Sequence, residues 1–275
     1  MEDIILKIEK QVKETIFKYK ICNKKEKILI ALSGGKDSTL TAYLLKKFGY
    51  NIEGFHINLG LGEYSDRCEN AIKEFCNENK IKFHVYDIKK EMGSRMCYIR
   101  QGVQSKIKLT NCAVCGVIKK SIMNKEARKL KVDKIATGHN LDDEVQTFLI
   151  NIFKGSPKLS SNSGPISRNN PDEKFIPRIK PLFFVLEDDI REYVKKKKLK
   201  IIPQPCPCGI DSYRIQVRKF LNTISEKQKR NIIQSFEELY ERIEKNQDNR
   251  INYCKNCGEP SRNELCRKCI LLKNK

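Results

Sequence analysis

At 275 residues, 39% hydrophobic and 32% charged, the chain can fold one α/β domain of ordinary size with a small appendage, and it has no apolar run long enough to cross a membrane. A formal net charge of +21, dominated by lysine, favours a polyanionic partner such as RNA over a merely solubilising surface. Twelve cysteines in a chain whose first residues, MEDIILKIEK, lack an apolar signal core exclude a secreted disulfide scaffold and point to metal ligands and sulfur chemistry in a cytosolic protein.

Apolar residues at Ile4, Ile5, Ile8, Val12, Ile16 and Phe17 recur at helical spacing and predict an amphipathic helix over 4–20. The run from Ile28 to Leu32 fits one buried strand of a parallel sheet. Ser33, Gly34 and Gly35 follow, and Lys36, Asp37 and Ser38 open a helical pattern. A second strand is predicted over 51–60, then a helix with Cys68, Ala71, Ile72, Phe75 and Cys76 on one face, then a third strand over 81–88. That spacing makes Cys68 and Cys76 core cysteines. Cys97 falls in a polar stretch expected to be mobile. Cys112 and Cys115 start a lysine-rich helical pattern over 111–130, and 132–137 reads as a fourth strand. Asn140 is placed to cap the next helix, with Asp142, Asp143 and Glu144 in its first turn and Val145, Phe148, Leu149 and Ile152 as its buried stripe. A long flexible loop is expected over 154–177, a fifth strand over 178–184, and helices over 186–199, 211–223 and 225–245. Strands alternating with helices imply an α/β, doubly wound parallel sheet with its sites at the carboxyl ends of the strands. The chain divides into an N-terminal helix (1–24), the sheet domain (25–223), a helical connector (224–249) and a cysteine-rich ribbon (250–275).

Strand, glycine turn and helix N-terminus around Ser33–Ser38 together make an anion site. Backbone N–H groups point outward with no Cβ in the way, the positive end of the helix dipole lies behind them, and Lys36 adds a full charge. It is not a Walker A loop, which needs a glycine where this chain has Ile30. SGGKDS instead resembles the pyrophosphate loop of the ATP pyrophosphatases, which split ATP to AMP and pyrophosphate while adenylating a substrate. Lys36 and Lys119 can neutralise phosphates, and Asp37 or Asp143 can hold Mg²⁺ between them. His139 is read as shaping the turn before Asn140, not as a general base.

The cysteines fall into two sets. Cys254, Cys257, Cys266 and Cys269 form two C-x-x-C knuckles, enough for one tetrahedral zinc, in a tail with too few apolar residues to fold without metal. A closed four-cysteine site has no open position, so its role is structural or RNA-contacting. Cys112 and Cys115 start a helix, and Cys206 lies far off in PQPCPCG. A lone C-x-x-C is compatible with a redox pair or zinc. Three convergent thiolates would leave one iron of a 4Fe-4S cluster without a protein ligand, and Cys208 as a fourth would close it. The sequence leaves that choice open.

SGGKDS, FHINLGLGEYS, CAVCG followed by Lys119, ATGHNLDDE, IKPL and Cys206-Pro207 occur in an order that resembles the TtcA/TtuA family of tRNA 2-thiolation enzymes, and the terminal four-cysteine ribbon is similar to its TtuA/NcsA branch. The resemblance implies an ATP pyrophosphatase domain in which Ser33, Gly34, Gly35, Lys36, Asp37 and Ser38 hold the ATP phosphates. His56, Ile57 and Gly138 would flank the adenosine. It further implies that Cys112, Cys115 and Cys206 ligate a 4Fe-4S cluster, that Lys119 and Asp143 serve the active site, and that the tail cysteines hold zinc. Two departures stand out: no cysteine precedes Gln11, where the branch carries another zinc-binding segment, and Cys208 is a thiol where relatives carry none. The implied activity is ATP-dependent thiolation of a tRNA uridine at C2, first at wobble position 34, with uridine 54 or cytidine 32 as alternatives. Free sulfide or a sulfur-carrier protein would be the donor, and a homodimer is allowed. The rival readings are another adenylating tRNA-modifying ligase, which would need no thiolates near the loop, and a non-catalytic zinc-ribbon RNA-binding protein.

Overall fold

The structure, a computed structural model, describes residues 3–167, 172, 174–209, 214–244 and 252–273. Helix α1 (Ile4–Tyr19) starts where the Asp3 carboxylate accepts the Ile5 N–H, and its apolar stripe lies against the sheet. The alternating core then runs β1 (Lys27–Leu32), α2 (Lys36–Lys47), β2 (Asn51–Asn58), α3 (Glu63–Glu78) and β3 (Lys82–Asp87). Two helices follow, α4 (Ile88–Met92) and α5 (Met96–Gln104), before α6 (Asn111–Lys129), β4 (Lys134–Ala136) and α7 (Leu141–Phe153). A 3₁₀ turn (Pro157–Asn162), β5 (Arg178–Ile179), α8 (Glu187–Lys196), α9 (Arg214–Leu221) and α10 (Glu226–Glu244) complete the larger unit. The tail forms the antiparallel pair β6 (Asn252–Tyr253) and β7 (Pro260–Ser261), then α11 (Arg267–Lys273).

The five-stranded sheet is parallel throughout, in the order β3-β2-β1-β4-β5. Strand alternation divides the core. Ile28, Ile30 and Leu32 face α1, α2, α3 and α8, while Leu29 and Ile135 face α5 and α6. Because the chain walks outward from β1 to β3 and then restarts on the other side with β4, the loops after β1 and β4 diverge and leave a crevice at their carboxyl ends.

Several expectations are corrected here. The stretch around Cys97 is helical, because Met96, Ile99, Arg100 and Val103 at helical spacing are all buried. The fifth strand shrinks to two residues: Pro181 has no N–H to offer a ladder, and 181–184 turns back on itself. Ile152 is exposed, and Leu141, Val145, Phe148 and Ile150 make the buried stripe of α7. The loop at 154–177 includes the 3₁₀ turn and a bridge between Ile166 and Ile179, and the expected helix start at 211 lies outside the described residues, within which α9 runs Arg214–Leu221. The connector helix α10 packs on α7, with Phe148 and Phe236 ring centroids 4.4 Å apart. The tail also docks: Leu271 of α11 is buried in the cluster that holds Val103, Cys115 and Ile118.

Candidate active site and cysteine centres

The loop after β1 is built by its serines and glycines. Gly34 has φ +84°, and a Cβ there would also press on Cys68, so glycine is required twice over. Ser38 Oγ lies 3.1 Å from both the Ser33 N–H and the Ser33 hydroxyl and donates to the Gly35 carbonyl, which ties the loop into a ring. Gly35 caps α2 with no side-chain bond to the helix N–H groups, so those donors remain available to an anion. Across the crevice, a Cβ on Gly138 would sit 2.6 Å from the Asp37 carbonyl carbon and the Ser38 nitrogen. Only glycine lets the β4–α7 loop close on the β1–α2 loop.

Three carboxylates in the first turn of α7 have separate tasks. Asp142 is structural: it accepts from Lys229 at 2.6 Å and from the Glu187 N–H at 2.8 Å. Glu144 pairs with Lys180 at 2.7 Å. Asp143 faces Asp37, and burial together with that neighbouring charge pushes its pKa up to about 6, against the pull of Arg214 and Arg218. Two carboxylates so placed are a ready ligand pair for a divalent cation. Asn140 caps α7 through the Asp143 N–H at 3.0 Å and also donates to Asp37 at 3.0 Å, which fixes the pair. Lys36 is held between Asp37 and Glu187, each at 2.9 Å.

His56, at the end of β2, is buried with Nδ1 2.9 Å from the Leu32 carbonyl. A carbonyl can only accept, so Nδ1 carries the proton and Nε2, buried without a partner, is left as an acceptor. Burial also lowers the ring's pKa and keeps it neutral. Ile57 beside it is part of the core under α6. His139 meets Thr137 at 2.9 Å; crowding, then Lys180, Arg214, Lys120 and Arg178, push its pKa down to about 3, so it carries no charge. Those four cations and Arg218 form a basic rim beside Asp143.

The thiols split as the spacing predicts. In the tail, all four sulfurs lie within 4.8 Å of one another, with Cys257 and Cys266 3.6 Å apart. A tetrahedron with Zn–S bonds of 2.3 Å has edges of about 3.8 Å. Backbone N–H groups, that of Cys266 first, pull Cys254 down to about 6, while burial and the other thiols push Cys257 up to about 12. Among the described residues no other group of three or more metal-binding side chains is so compact. Cys112 and Cys115 lie one turn apart on α6, and Cys206 and Cys208 on the loop before α9. Two contacts bring that loop in: the Ile202 N–H donates to the Gly34 carbonyl at 2.8 Å, and Arg100 reaches Cys208 at 3.0 Å and Cys115 at 3.8 Å. Lys119 is exposed one turn beyond Cys115, and its charge is felt by both Cys115 and His56. Cys68 is buried as expected, but under Gly34 and beside Tyr64, at the edge of the site.

Arg100 and Glu187 were missed by sequence reasoning. For Arg100 a signal existed, a charged residue inside the apolar stripe of α5; for Glu187 there was none, since its partner Lys36 is 151 residues away. A cavity of about 900 Å³ lined by Lys13, Phe17, Lys24, Phe48 and Tyr50 lies at the opposite, amino end of the strands and plays no part in this chemistry.

The PP-loop domain family model matches residues 4–224. The tRNA-5-methyluridine(54) 2-sulfurtransferase of Pyrococcus horikoshii is 37% identical over 95% of this chain and 83% of its own length. The cytoplasmic tRNA 2-thiolation protein 1 of Drosophila mojavensis is 31% identical over 96% of this chain and 78% of its own. Among solved structures, the U34-tRNA thiolase NcsA from Methanococcus maripaludis with its [4Fe-4S] cluster superposes with a TM-score of 0.82 at 29% identity, over 98% of this chain and 88% of that one.

Proposed function

This chain belongs to the PP-loop domain family, in the branch of the tRNA 2-thiolation enzymes, and from that premise we propose how its residues carry out the reaction. It is a tRNA 2-sulfurtransferase that uses ATP. The observation that carries this reading is the convergence, at one crevice, of the glycine loop, the Asp37/Asp143 pair and the thiol-bearing loop anchored on Gly34.

ATP would lie with its phosphates on the N–H groups of Ser33–Ser38 and Lys36, and Asp37 with Asp143 would hold Mg²⁺. His56 Nε2 can accept a hydrogen bond from the adenine amino group, with Ile57 and Gly138 flanking the nucleoside. The uracil 2-oxygen attacks the α-phosphorus and pyrophosphate leaves, so that a poor leaving group, an oxide, becomes AMP. Sulfur then bonds to C2 as the C2–O bond breaks and AMP departs. Lys119, between the thiols and the end of β2, is placed to stabilise the charge that moves in this exchange.

The cysteines fit a cluster. Cys112 and Cys115 lie one turn apart on α6, Cys206 lies on the loop anchored on Gly34, and the buried Arg100 contacts Cys115 and Cys208, an arrangement that supports a cluster held by Cys112, Cys115 and Cys206. They would hold the cluster, which when bound would supply the sulfur for this exchange. The tail thiols would hold zinc.

The basic rim at Lys120, Arg178, Lys180, Arg214 and Arg218 is suited to RNA phosphates. Wobble uridine 34 is the proposed target, as in the Methanococcus maripaludis thiolase; position 54, that of the Pyrococcus horikoshii relative, is the alternative. The donor is free sulfide or a sulfur-carrier protein. Among the described residues no helix is long and apolar enough to cross a membrane, and a cytoplasmic location is proposed. The test is anaerobic reaction of the purified protein with unmodified tRNA, ATP and sulfide, followed by mass spectrometry of nuclease fragments. 2-Thiouridine in the anticodon fragment supports the reading, its appearance in the T-arm moves the target to 54, and consumption of ATP without thiolated product overturns it.

A further inference from the structure

Arg100 is 5% exposed, although its neighbours on the same face of α5, Met96, Ile99 and Val103, are wholly apolar and fully buried. A guanidinium does not lose its proton at any physiological pH, so it can escape the cost of burial only by finding an anion. No carboxylate among the described residues pairs with it. Its partners are two sulfur atoms, Cys208 Sγ at 3.0 Å from Nη2 and Cys115 Sγ at 3.8 Å from Nη1. One planar fork thus spans the α6 helix and the loop before α9, elements that approach the crevice from different parts of the chain. One of those sulfurs, Cys115 Sγ, belongs to the proposed cluster ligands, and the other, Cys208 Sγ, lies two residues from Cys206 on the loop that carries the third.

Resting on the cluster reading above, we propose that Arg100 is the positioning residue of the iron–sulfur centre, holding the Cys206–Cys208 loop against Cys115 and raising the reduction potential of the cluster bound between them. The physical reason is that a cluster becomes more negative when it accepts an electron. A fixed positive charge and N–H···S bonds therefore favour the reduced form.

The experiment uses the full chain, reconstituted with iron and sulfide without oxygen, as wild type and as Arg100→Lys, Arg100→Gln and Arg100→Leu. Iron, sulfide and zinc are counted, and the midpoint potential is followed by absorbance and electron paramagnetic resonance. The expected result is a potential near wild type in R100K, lower in R100Q, which keeps donors but loses charge, and lowest in R100L. Loss of iron from R100Q and R100L with retention in R100K, at unchanged zinc and melting temperature, supports the same role through retention of the cluster. Equal potentials in wild type and R100L at full iron overturn it, as does loss of iron in all three variants together with a lowered melting temperature. A wild-type protein that takes up no iron overturns the cluster reading and this proposal with it, whereas equal potentials remove only the role of Arg100.

Discussion

Cys254, Cys257, Cys266 and Cys269 come from one short span of chain and lie within 4.8 Å of each other, whereas Cys112 and Cys115 are delivered by a helix and Cys206 and Cys208 by a distant loop. The first set is organised by local geometry: a turn at Gly258, with φ +66°, and backbone N–H groups that face the sulfurs. The second is organised by the fold, through the Ile202–Gly34 bond and the Arg100 fork. The difference separates two uses of one residue type. A compact, closed set suits a single ion that holds structure, and an open, spread set suits a larger group that must exchange atoms with a substrate.

The comparison can be tested at both ends. The largest effect is expected from Cys112→Ala, Cys115→Ala or Cys206→Ala. Each should remove the iron and reduce 2-thiouridine below detection while one zinc per chain remains, as metal analysis would show. Loss of both metals from one of these variants would merge the two sets. Next comes Asp37→Ala, which should slow tRNA-dependent pyrophosphate release on the order of a hundredfold or more without changing iron or zinc, because it removes a ligand of the Mg²⁺ that would neutralise the phosphates and touches no thiol. A rapid-quench assay measures that step, and the cluster-free cysteine variants should retain part of it. Leu271→Ala should come third. Burying that side chain docks α11 on α5 and α6, so its truncation should cost about 2–5 kcal/mol in denaturant unfolding with zinc retained. Zinc loss in that variant would show that the ribbon depends on the body for its metal. The smallest effect is expected from Cys208→Ala, which removes one acceptor of Arg100 and should leave the iron content unchanged. Iron lost from Cys208→Ala but kept in Cys206→Ala would make Cys208 the ligand in place of Cys206.

How far the sequence could be read follows the same division. The tail was legible because its four ligands and their turn are contiguous. The glycine loop was legible because a strand, a turn and a helix start adjoin each other. Asn140 was legible as a cap and is one, but its second bond, to Asp37, crosses 103 residues and no local pattern announces it. The stretch holding Cys97 was misread because Arg100 breaks up the apolar stripe that would have marked a helix, and its partner, the Cys208 sulfur 3.0 Å away, comes from a loop 108 residues on. The fifth strand was overextended because apolar residues after Pro181 suggest a strand, while the missing N–H prevents one. Asp143 could be placed on the first turn of α7 from sequence, but its raised pKa comes first from burial and then from Asp37, a neighbour only in space.

Leu271 of the ribbon lies in the same buried cluster as Cys115, and Glu259 of the ribbon reaches back to Arg128 on the helix that bears the C-x-x-C. For the metals proposed above, this docking would give loading an order in time. The ribosome releases α6 long before it releases α11, so while the chain is being made the helix that carries Cys112 and Cys115 lacks part of its support. On the zinc reading proposed above, the tail would complete that support only after folding around its own ion. With the tail holding zinc and Cys112, Cys115 and Cys206 holding a cluster, as proposed, iron–sulfur delivery would be a late, post-translational event that follows zinc. Cells starved of zinc would accumulate a chain with a formed ATP loop and a poorly supported cluster site, a failure that extra iron would not repair.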